Sequence, residues 1–465
     1  MKFLLIAFPP YAPFMPKEER QFNACYLPTL GLLYIAKVLE ENGHQVEILD
    51  EGFSDEKIMK SLNYVDVVGL SVPSYFYKRA AEVSKMIKEK DPSITVIIGG
   101  PHVTFHPKKS LEKDVSYADI SVEGEGEHVI GDISKVLEGE KKDLSNVPGV
   151  YYKKNGKIKS GPPPVVITDL DTISFPARHL VEKYSKYYGT LFGVNISKSP
   201  ATSISTSRGC PKRCRFCTLP SLEYKLYRMR SAENILEELR EINEKYKSVW
   251  ISDDNFLADK KRAHKILDGI LKEKMDLEIC VMGARADSAD RNLYKKMKQA
   301  GVDYLHFGIE SGNQDVLDFY NKNITLDQIR KALNLCEEFG IQSVGNFILG
   351  APIETEKHIE QTINFACSLP LYYAMFRPLG YVYGSQIWDE AVKEGKIEEG
   401  DTYLYVADSR KGLGNFTEEE LEEFCRIAHA RYHFRFKFLA REVYNSFKER
   451  NFRFLKIGIM SLFYK

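Results

Sequence analysis

The chain has 465 residues, 43% of them apolar and 28% charged, with Lys+Arg and Asp+Glu balanced at 65 each. That length allows two to four globular domains. The zero formal charge excludes a protein that binds nucleic acid through its overall field, while leaving room for a local basic patch.

No run of about 18 apolar residues occurs, so no membrane span is expected. The N-terminal MKFLLIAFPPYAPF has no small-residue cleavage site and is broken by Pro9 and Pro10, which suits a first buried strand better than a signal peptide. Three of the eight cysteines cluster, which points to a metal site in a reducing, cytoplasmic setting and away from a disulfide framework.

Residues 1–150 alternate strand and helix signals. Short Val/Ile-rich segments at Lys2–Phe8, Gln45–Asp50, Val65–Ser71, Thr95–Gly99 and Ile120–Val122 read as strands buried on both faces. Helical patterns at Leu30–Asn42 and Tyr77–Lys90 lie between them, with Gly43 where a helix C-cap belongs. Such alternation predicts a doubly wound parallel sheet. Residues 151–200 read as a linker with a small hairpin over Tyr151–Lys159, turning at Asn155-Gly156. From 201 to 385 six strand–helix repeats predict a partial (βα)6 barrel. Its strands are expected at Ala201–Thr206, Ser248–Ser252, Glu278–Gly283, Tyr304–Ile309, Ser343–Leu349 and Ala374–Leu379. In such barrels the site gathers at the C-terminal ends of the strands. Residues 386–465 are predicted to form a helical, basic and aromatic extension.

The densest chemical signal is Ser207-Arg208-Gly209-Cys210-Pro211-Lys212-Arg213-Cys214-Arg215-Phe216-Cys217, placed just after the first barrel strand. Three thiolates at C-x3-C-x2-C spacing can wrap one face of an iron–sulfur cluster, and no fourth cysteine is near to complete the set. A four-iron cube held by three ligands keeps one iron open for a ligand that is not protein. Structural zinc, which prefers four ligands in paired motifs, and unrelated free thiols are the competing readings. The other cysteines, at 25, 280, 336, 367 and 425, do not group, so no auxiliary cluster is expected. The loop resembles the signature of the radical S-adenosylmethionine (SAM) superfamily. That resemblance implies a [4Fe–4S] cluster on Cys210, Cys214 and Cys217, chelated by SAM at the open iron. It further implies one-electron cleavage of SAM to a 5′-deoxyadenosyl radical.

The same resemblance implies SAM contacts at successive strand ends. Phe216 belongs to the cysteine loop itself. Asp253 and Asp254 would hold the methionyl ammonium, and Arg285 its carboxylate by a forked hydrogen-bond pair. Glu310 would take the ribose hydroxyls or the amino group, and Asn346 and Ile348 would pack the adenine. Taken singly these residues have plainer readings: Asp253 as a helix N-cap, Arg285 paired on the surface with Asp287 or Asp290, Glu310 simply solvated.

In the first sheet, ligands bind beyond the carboxyl ends of the strands. The loops there are Ser71–Tyr75, Gly99–His102 and Glu123–Glu127. A nicotinamide cofactor does not fit, because Phe8-Pro9-Pro10 occupies the place of the G-x-G-x-x-G turn. A flavodoxin-like sheet without a ligand is the plainer alternative. Pro28-x-x-Gly31-Leu32, Gly43-His44-x-Val46 leading to Asp50, Gly99-Gly100-Pro101-His102 and Glu123-Gly124-Glu125-Gly126-Glu127 resemble the cobalamin (B12)-binding domain fused to many radical SAM enzymes. The resemblance implies cobalamin contacts from Ser71, Ser74, Gly99, Gly100, Glu123, Gly124 and Glu125. Glu51-Gly52-Phe53 stands where many B12 proteins carry the His of D-x-H-x-x-G, so cobalamin is expected without a His axial ligand. His44, His102 and His106 read as loop or packing residues.

Residues 431–465 carry nine Lys/Arg and two Glu, a net of +7 (9 − 2), and ten Phe or Tyr. This suits peripheral contact with an anionic membrane, or a helix packed on the barrel with snorkelling cations, or RNA contact. The tail is loosely similar to those of relatives acting on hopanoids and porphyrin precursors. The expectation for the whole chain is a cobalamin-dependent radical SAM enzyme, similar to the Mg-protoporphyrin cyclase, P-methylase and hopanoid-enzyme group. It is expected to methylate an unactivated carbon of an apolar or lipid-like small molecule. The alternatives are a radical cyclase, oxidase or C–C bond-forming enzyme without methyl transfer, an RNA-modifying enzyme, and a non-enzymatic iron–sulfur or B12 sensor. A ferredoxin or flavodoxin is the expected electron donor, and nucleic acid is not an expected partner.

Overall fold

The computed structural model describes residues 1–8, 27–50, 54–141, 143–186, 188–191, 194–195, 197–398, 400 and 402–449. Pro9, Pro10, Cys25, the Glu51-Gly52-Phe53 segment and the tail from Arg450 lie outside the described residues. Two compact units form. One comprises Met1–Gly193, Ser197–Gly209 and Leu219–Trp250; the other includes Cys210–Thr218 and the chain from Ile251.

The first unit is built on a seven-stranded sheet. Its strands are β1 (Lys2–Ile6), β2 (Gln45–Leu49), β3 (Val67–Ser71), β4 (Thr95–Gly99), β5 (Ile120–Val122), β6 (Val150–Lys154) and β7 (Lys157–Ser160), in the order β2-β1-β3-β4-β5-β6-β7. The pairs from β2 through β5 are parallel, while β6 and β7 join antiparallel. Period-2 alternation explains why helices cover both faces. Phe3, Leu5 and Ala7 enter one core with Leu33, Ala36 and Leu39 of α1 (Leu30–Glu41). Leu4, Ile6 and Phe8 enter the other, with Ile58 of α2 (Asp55–Ser61) and Ala80, Val83 and Ile87 of α3 (Tyr77–Lys90). Each of the Leu, Ile, Val and Phe side chains among them contributes about 1.5–3 kcal/mol by leaving water. The hairpin expected in a linker turns at Asn155-Gly156, both with positive φ, but it extends this sheet, because β6 pairs with β5 through Val122↔Val150.

A second sheet has six strands: β8 (Ala201–Ile204), β11 (Ser248–Ile251), β12 (Glu278–Ala284), β13 (Val302–Glu310), β14 (Gln342–Leu349) and β15 (Tyr373–Pro378), in the order β8-β11-β12-β13-β14-β15. The register pairs of β12 through β15 are parallel. Between these strands run α4 (Ala232–Lys245), α5 (Lys260–Glu273), α6 (Arg291–Gln299), α7 (Gln314–Phe319), α8 (Leu326–Phe339) and α9 (Glu356–Ser368). Their boundaries follow local chemistry. Thr325 and Gln328 form a capping box at the start of α8, and Gly340 ends it at φ +68.

Two details were not expected. A short antiparallel pair, β9 (Ser207–Gly209) with β10 (Tyr227–Met229), occupies part of what reads in sequence as one loop. Another pair joins β16 (Gly380–Val382), at the end of the segment expected as the barrel, to β17 (Leu404–Val406) in the C-terminal region. That region otherwise contributes α10 (Gln386–Lys393), α11 (Glu418–His433) and α12 (Phe436–Glu449). Among the described residues no helix is long and apolar enough to cross a membrane.

Candidate functional site

The cysteine segment follows β9. At its root Gly209 adopts φ +83, and a Cβ there would run into the Leu226 carbonyl oxygen, so only glycine fits. The backbone N–H of Cys217 donates to the Cys214 carbonyl at 3.0 Å and closes a turn. Cys210, Cys214 and Cys217 form no disulfide and are partly exposed. Burial raises the Cys210 thiol pKa, Asp254 and Cys214 add to the rise, and the Lys212 backbone N–H and Arg285 oppose it. Predicted site residues from three different loops therefore lie within electrostatic reach of Cys210.

The segment after α7 braces this loop. Arg215 N–H donates to the Tyr320 carbonyl at 3.0 Å, and the Asn321 side-chain amide donates to the Arg213 carbonyl at 2.8 Å. The Arg215 guanidinium reaches the Phe319 carbonyl at 3.2 Å and pairs with Glu390. Phe216 meets the Tyr320 ring edge-on, centroids 5.1 Å apart.

At the next strand ends the carboxylates and Arg285 are mostly buried. Asp253 lies 3.6 Å from the Arg262 guanidinium. It is not the helix cap: Asp259 caps α5 by accepting from Arg262 N–H at 2.9 Å. Asp254 is exposed. Gly283, at φ +67, lets β12 pass close to both, since a Cβ there would come within 2.9 Å of the Asp254 carbonyl oxygen. Arg285 is buried and pairs with Asp287 through two bonds of 3.1 Å, so this pair is not the surface contact read from sequence. Arg285 also donates to the Lys322 carbonyl at 2.7 Å. Burial would raise the Asp287 carboxyl, but Arg285 and Lys212 outweigh it and hold it below the usual range. Asp290 is spent as the N-cap of α6.

Glu310 is buried, not solvated. It sits at φ +68 and accepts from Lys322 Nζ at 2.6 Å. A Cβ on Gly308 would come within 2.8 Å of that ammonium. Lys322 Nζ also lies 5.9 Å from the Phe216 ring centre, so it connects the cysteine loop to Glu310. Asn346 pairs in register with Gly308 and donates to the Phe307 carbonyl at 3.3 Å; Ile348 follows two residues on, on the same face of β14. Lys322 escaped the sequence reading. Its cue is the Asn-Lys-Asn after α7, whose Asn321 and Asn323 take the left-handed conformation that asparagine tolerates.

Among the described residues no three His, Cys, Asp or Glu side chains converge on a single-ion site.

In the first unit the loops beyond β3, β4 and β5 carry the other predicted residues. Ser74 Oγ lies 3.4 Å from His102 Nδ1, whose Nε2 faces Asp114 at 3.3 Å, all near the stacked Tyr77 ring. Gly100 takes φ +97, and a Cβ would come within 3.0 Å of Val72 N and 3.4 Å of Ser71 Oγ. Gly99 is open: a Cβ there would meet nothing nearer than 3.9 Å. Gly124 N–H donates to Thr104 Oγ1 at 3.1 Å. Burial raises the Glu123 carboxyl despite its bond from Tyr151. Glu125 is committed to the protein, pairing with Arg208 and with Arg228 at 2.8 Å and accepting Ile167 N–H at 2.7 Å. Burial would raise its pKa, but Arg228 and Arg208 reverse the sign. Asp50 accepts from the Tyr188 hydroxyl at 2.8 Å.

A model of the Radical SAM superfamily matches residues 204–366, and one of the B12 binding domain matches residues 24–134. An uncharacterized methyltransferase of Pyrococcus horikoshii is 33% identical over 429 residues, covering 90% of each chain. The chain belongs to the B12-binding radical SAM enzymes. The bacteriochlorophyllide d C-8(2)-methyltransferase of Chlorobaculum tepidum is 26% identical over 375 residues, 78% of this chain and 76% of that one. The fold is similar to the radical SAM methyltransferase TsrM of Kitasatospora setae, solved with cobalamin and a [4Fe–4S] cluster (TM-score 0.67, 17% identity, 84% of this chain and 78% of that one).

The B12-binding radical SAM chain has a donor set that suits its class. Three cysteines in no disulfide, on one braced loop, suit a cluster. The cobalamin side offers bare backbone at Gly99 and a buried Tyr224 hydroxyl without a hydrogen-bond partner, positioned over Gly124. His44 precedes β2, at the end of the strand opposite the ligand loops, and faces Glu138 at 3.5 Å. His106 is depressed to about 4 by burial and by neighbouring His102.

Proposed function

We propose that this enzyme transfers a methyl group to an unactivated carbon of an apolar, lipid-like small molecule. One feature carries the reading: a braced loop of three cysteines at C-x3-C-x2-C spacing in the same chain as a sheet of the B12-binding family. When bound, the cluster with SAM supplies a carbon-centred radical, and cobalamin supplies the methyl group.

In this reading Cys210, Cys214 and Cys217 hold the cluster. Phe216, Asp253, Asp254, Arg285, Glu310, Asn346 and Ile348 contact SAM. Ser71, Ser74, Gly99, Gly100, Glu123, Gly124 and Glu125 line the cobalamin cradle. The domain division expected from sequence, at about 150, 200 and 385, is part of the same proposal. The protein partners of these residues refine their roles. Arg285 keeps its guanidinium plane fixed through Asp287 and so presents its remaining N–H groups in one direction. Glu310 has one oxygen on Lys322 and the other to offer a hydroxyl or ammonium. Glu125, shared by two arginines, orders the loop more than it binds ligand. A ferredoxin or flavodoxin delivers the electron. Peripheral contact through 431–465 would bring the enzyme to a substrate dissolved in a membrane.

The test is anaerobic purification with cobalamin and a reconstituted cluster, followed by turnover with extracted cell lipids or with RNA. Equal S-adenosylhomocysteine and 5′-deoxyadenosine, with a lipid product heavier by one methylene, are expected. Deoxyadenosine without S-adenosylhomocysteine overturns methyl transfer, and a modified RNA overturns the substrate class.

A further inference from the structure

From Leu219 the chain lies over the ligand loops of the first sheet. A short helix, Leu219–Leu222, packs against the Pro101–Phe105 helix that begins at the loop beyond β4. Tyr224 and Lys225, just after it, both take left-handed backbone, at φ +53 and +61. Neither is glycine or asparagine, so the surroundings hold each there against its own preference. This turn carries the Tyr224 phenol onto Gly124, in the loop beyond β5. Gly124 takes φ +78, and a Cβ there would stand 2.7 Å from the Tyr224 hydroxyl oxygen. That hydroxyl is shut off from solvent and has no hydrogen-bond partner among the described residues. A buried donor without an acceptor is costly and calls for a physical reason.

Chemistry around the hydroxyl selects its acceptor. Burial and the carboxylates of Glu123, Glu125 and Glu223 push the Tyr224 pKa up to about 12, with Arg228 opposing, so the group stays an O–H donor. Those carboxylates are already engaged: Glu125 with Arg208 and Arg228, Glu223 with Arg228 at 2.6 Å, and Glu123 with the Tyr151 hydroxyl. Their field disfavours an anion beside the phenol and leaves a neutral oxygen as the fitting acceptor. Cobalamin offers both kinds. Its corrin ring is fringed with neutral carboxamides, while its nucleotide tail carries an anionic phosphodiester. The Tyr224 side chain is only half-buried, so a carboxamide reaches the hydroxyl by a small turn of the phenol.

We infer that the Tyr224 hydroxyl binds cobalamin by donating to a carboxamide carbonyl of the corrin rim. The inference rests on the proposed placing of cobalamin at the Gly124 loop, and it needs no turnover. The experiment is equilibrium binding of two corrinoids to the cluster-reconstituted full chain and to its Tyr224→Phe variant, by ultrafiltration and visible absorbance. One is hydroxocobalamin; the other is cobinamide, which keeps the carboxamides but lacks the nucleotide tail. Both proteins are also melted without corrinoid. Tyr224→Phe should weaken both corrinoids about three- to tenfold, the loss of one neutral hydrogen bond. Without corrinoid it should melt no lower than wild type, because it removes a donor that has no partner among the described residues. Equal affinities of variant and wild type overturn the inference. A loss seen with cobalamin but not with cobinamide moves the hydroxyl to the nucleotide tail and overturns the carboxamide assignment. A lower melt without corrinoid reveals a structural bond and overturns it as well. Wild type that binds neither corrinoid overturns the inference together with the placing of cobalamin at the Gly124 loop, which the other failures leave standing.

Discussion

Lys322→Met tests the electrostatic centre of the cysteine-bearing unit. Glu310 and Lys322 are both buried, bonded at 2.6 Å, and Glu310 is held at φ +68. Removing the ammonium leaves a carboxylate with no counter-charge in a dry site. Breaking a buried pair by deleting one partner costs about 3–5 kcal/mol, most of it the penalty of the stranded charge. At about 2–4 °C per kcal/mol for a unit near 200 residues, the melting transition should fall by roughly 6–20 °C. The assay is scanning calorimetry of wild type, Lys322→Met, Glu310→Gln and the double variant at pH 8. Glu310→Gln/Lys322→Met should recover much of the loss, because a neutral pair strands no charge. A Lys322→Met melt within about 2 °C of wild type at pH 8, or a double variant as damaged as the single, would refute the reasoning.

Glu354 is fully buried at the end of β14, accepting from Gly350 and Ala351 N–H at 2.6 and 2.8 Å, and burial pushes its pKa up to about 7. A raised acid binds its proton more tightly folded than unfolded, so its stabilisation is full below the unfolded value and is lost as pH rises toward 7. Glu354→Gln should therefore remove about 3 kcal/mol of pH dependence between pH 4.5 and 7, read from the difference between its urea-melt curve and that of wild type. Gly209→Ala forces a Cβ into the Leu226 carbonyl in a left-handed conformation, costing about 1–3 kcal/mol; iron content after anaerobic reconstitution should drop well below that of wild type. Cys210→Ala, Cys214→Ala and Cys217→Ala should each abolish the EPR signal of the reduced cluster. Cys280→Ala, Cys336→Ala and Cys425→Ala, at buried thiols elsewhere, should keep it.

Much of the molecule was readable in the residues themselves. Strands buried on both faces leave long Val/Ile runs, and the helices between them carry caps such as Thr325 and Gly340, so the order of elements follows from local chemistry. The cysteine motif is equally local, since one loop holds all three thiols. Tertiary structure alone decided what each polar residue is paired with. Lys322 meets Glu310 twelve residues away and Phe216 on the cysteine loop, and Glu125 meets Arg208 and Arg228 across more than eighty residues. No periodicity encodes such partners, because they depend on which loops the fold brings to one sheet end. The outward roll of α12 has the same origin. The sequence marks this stretch as helical, basic and aromatic, but only the docking of Phe438 and Arg441 determines that Phe436, Leu439, Val443 and Tyr444 face away from the protein.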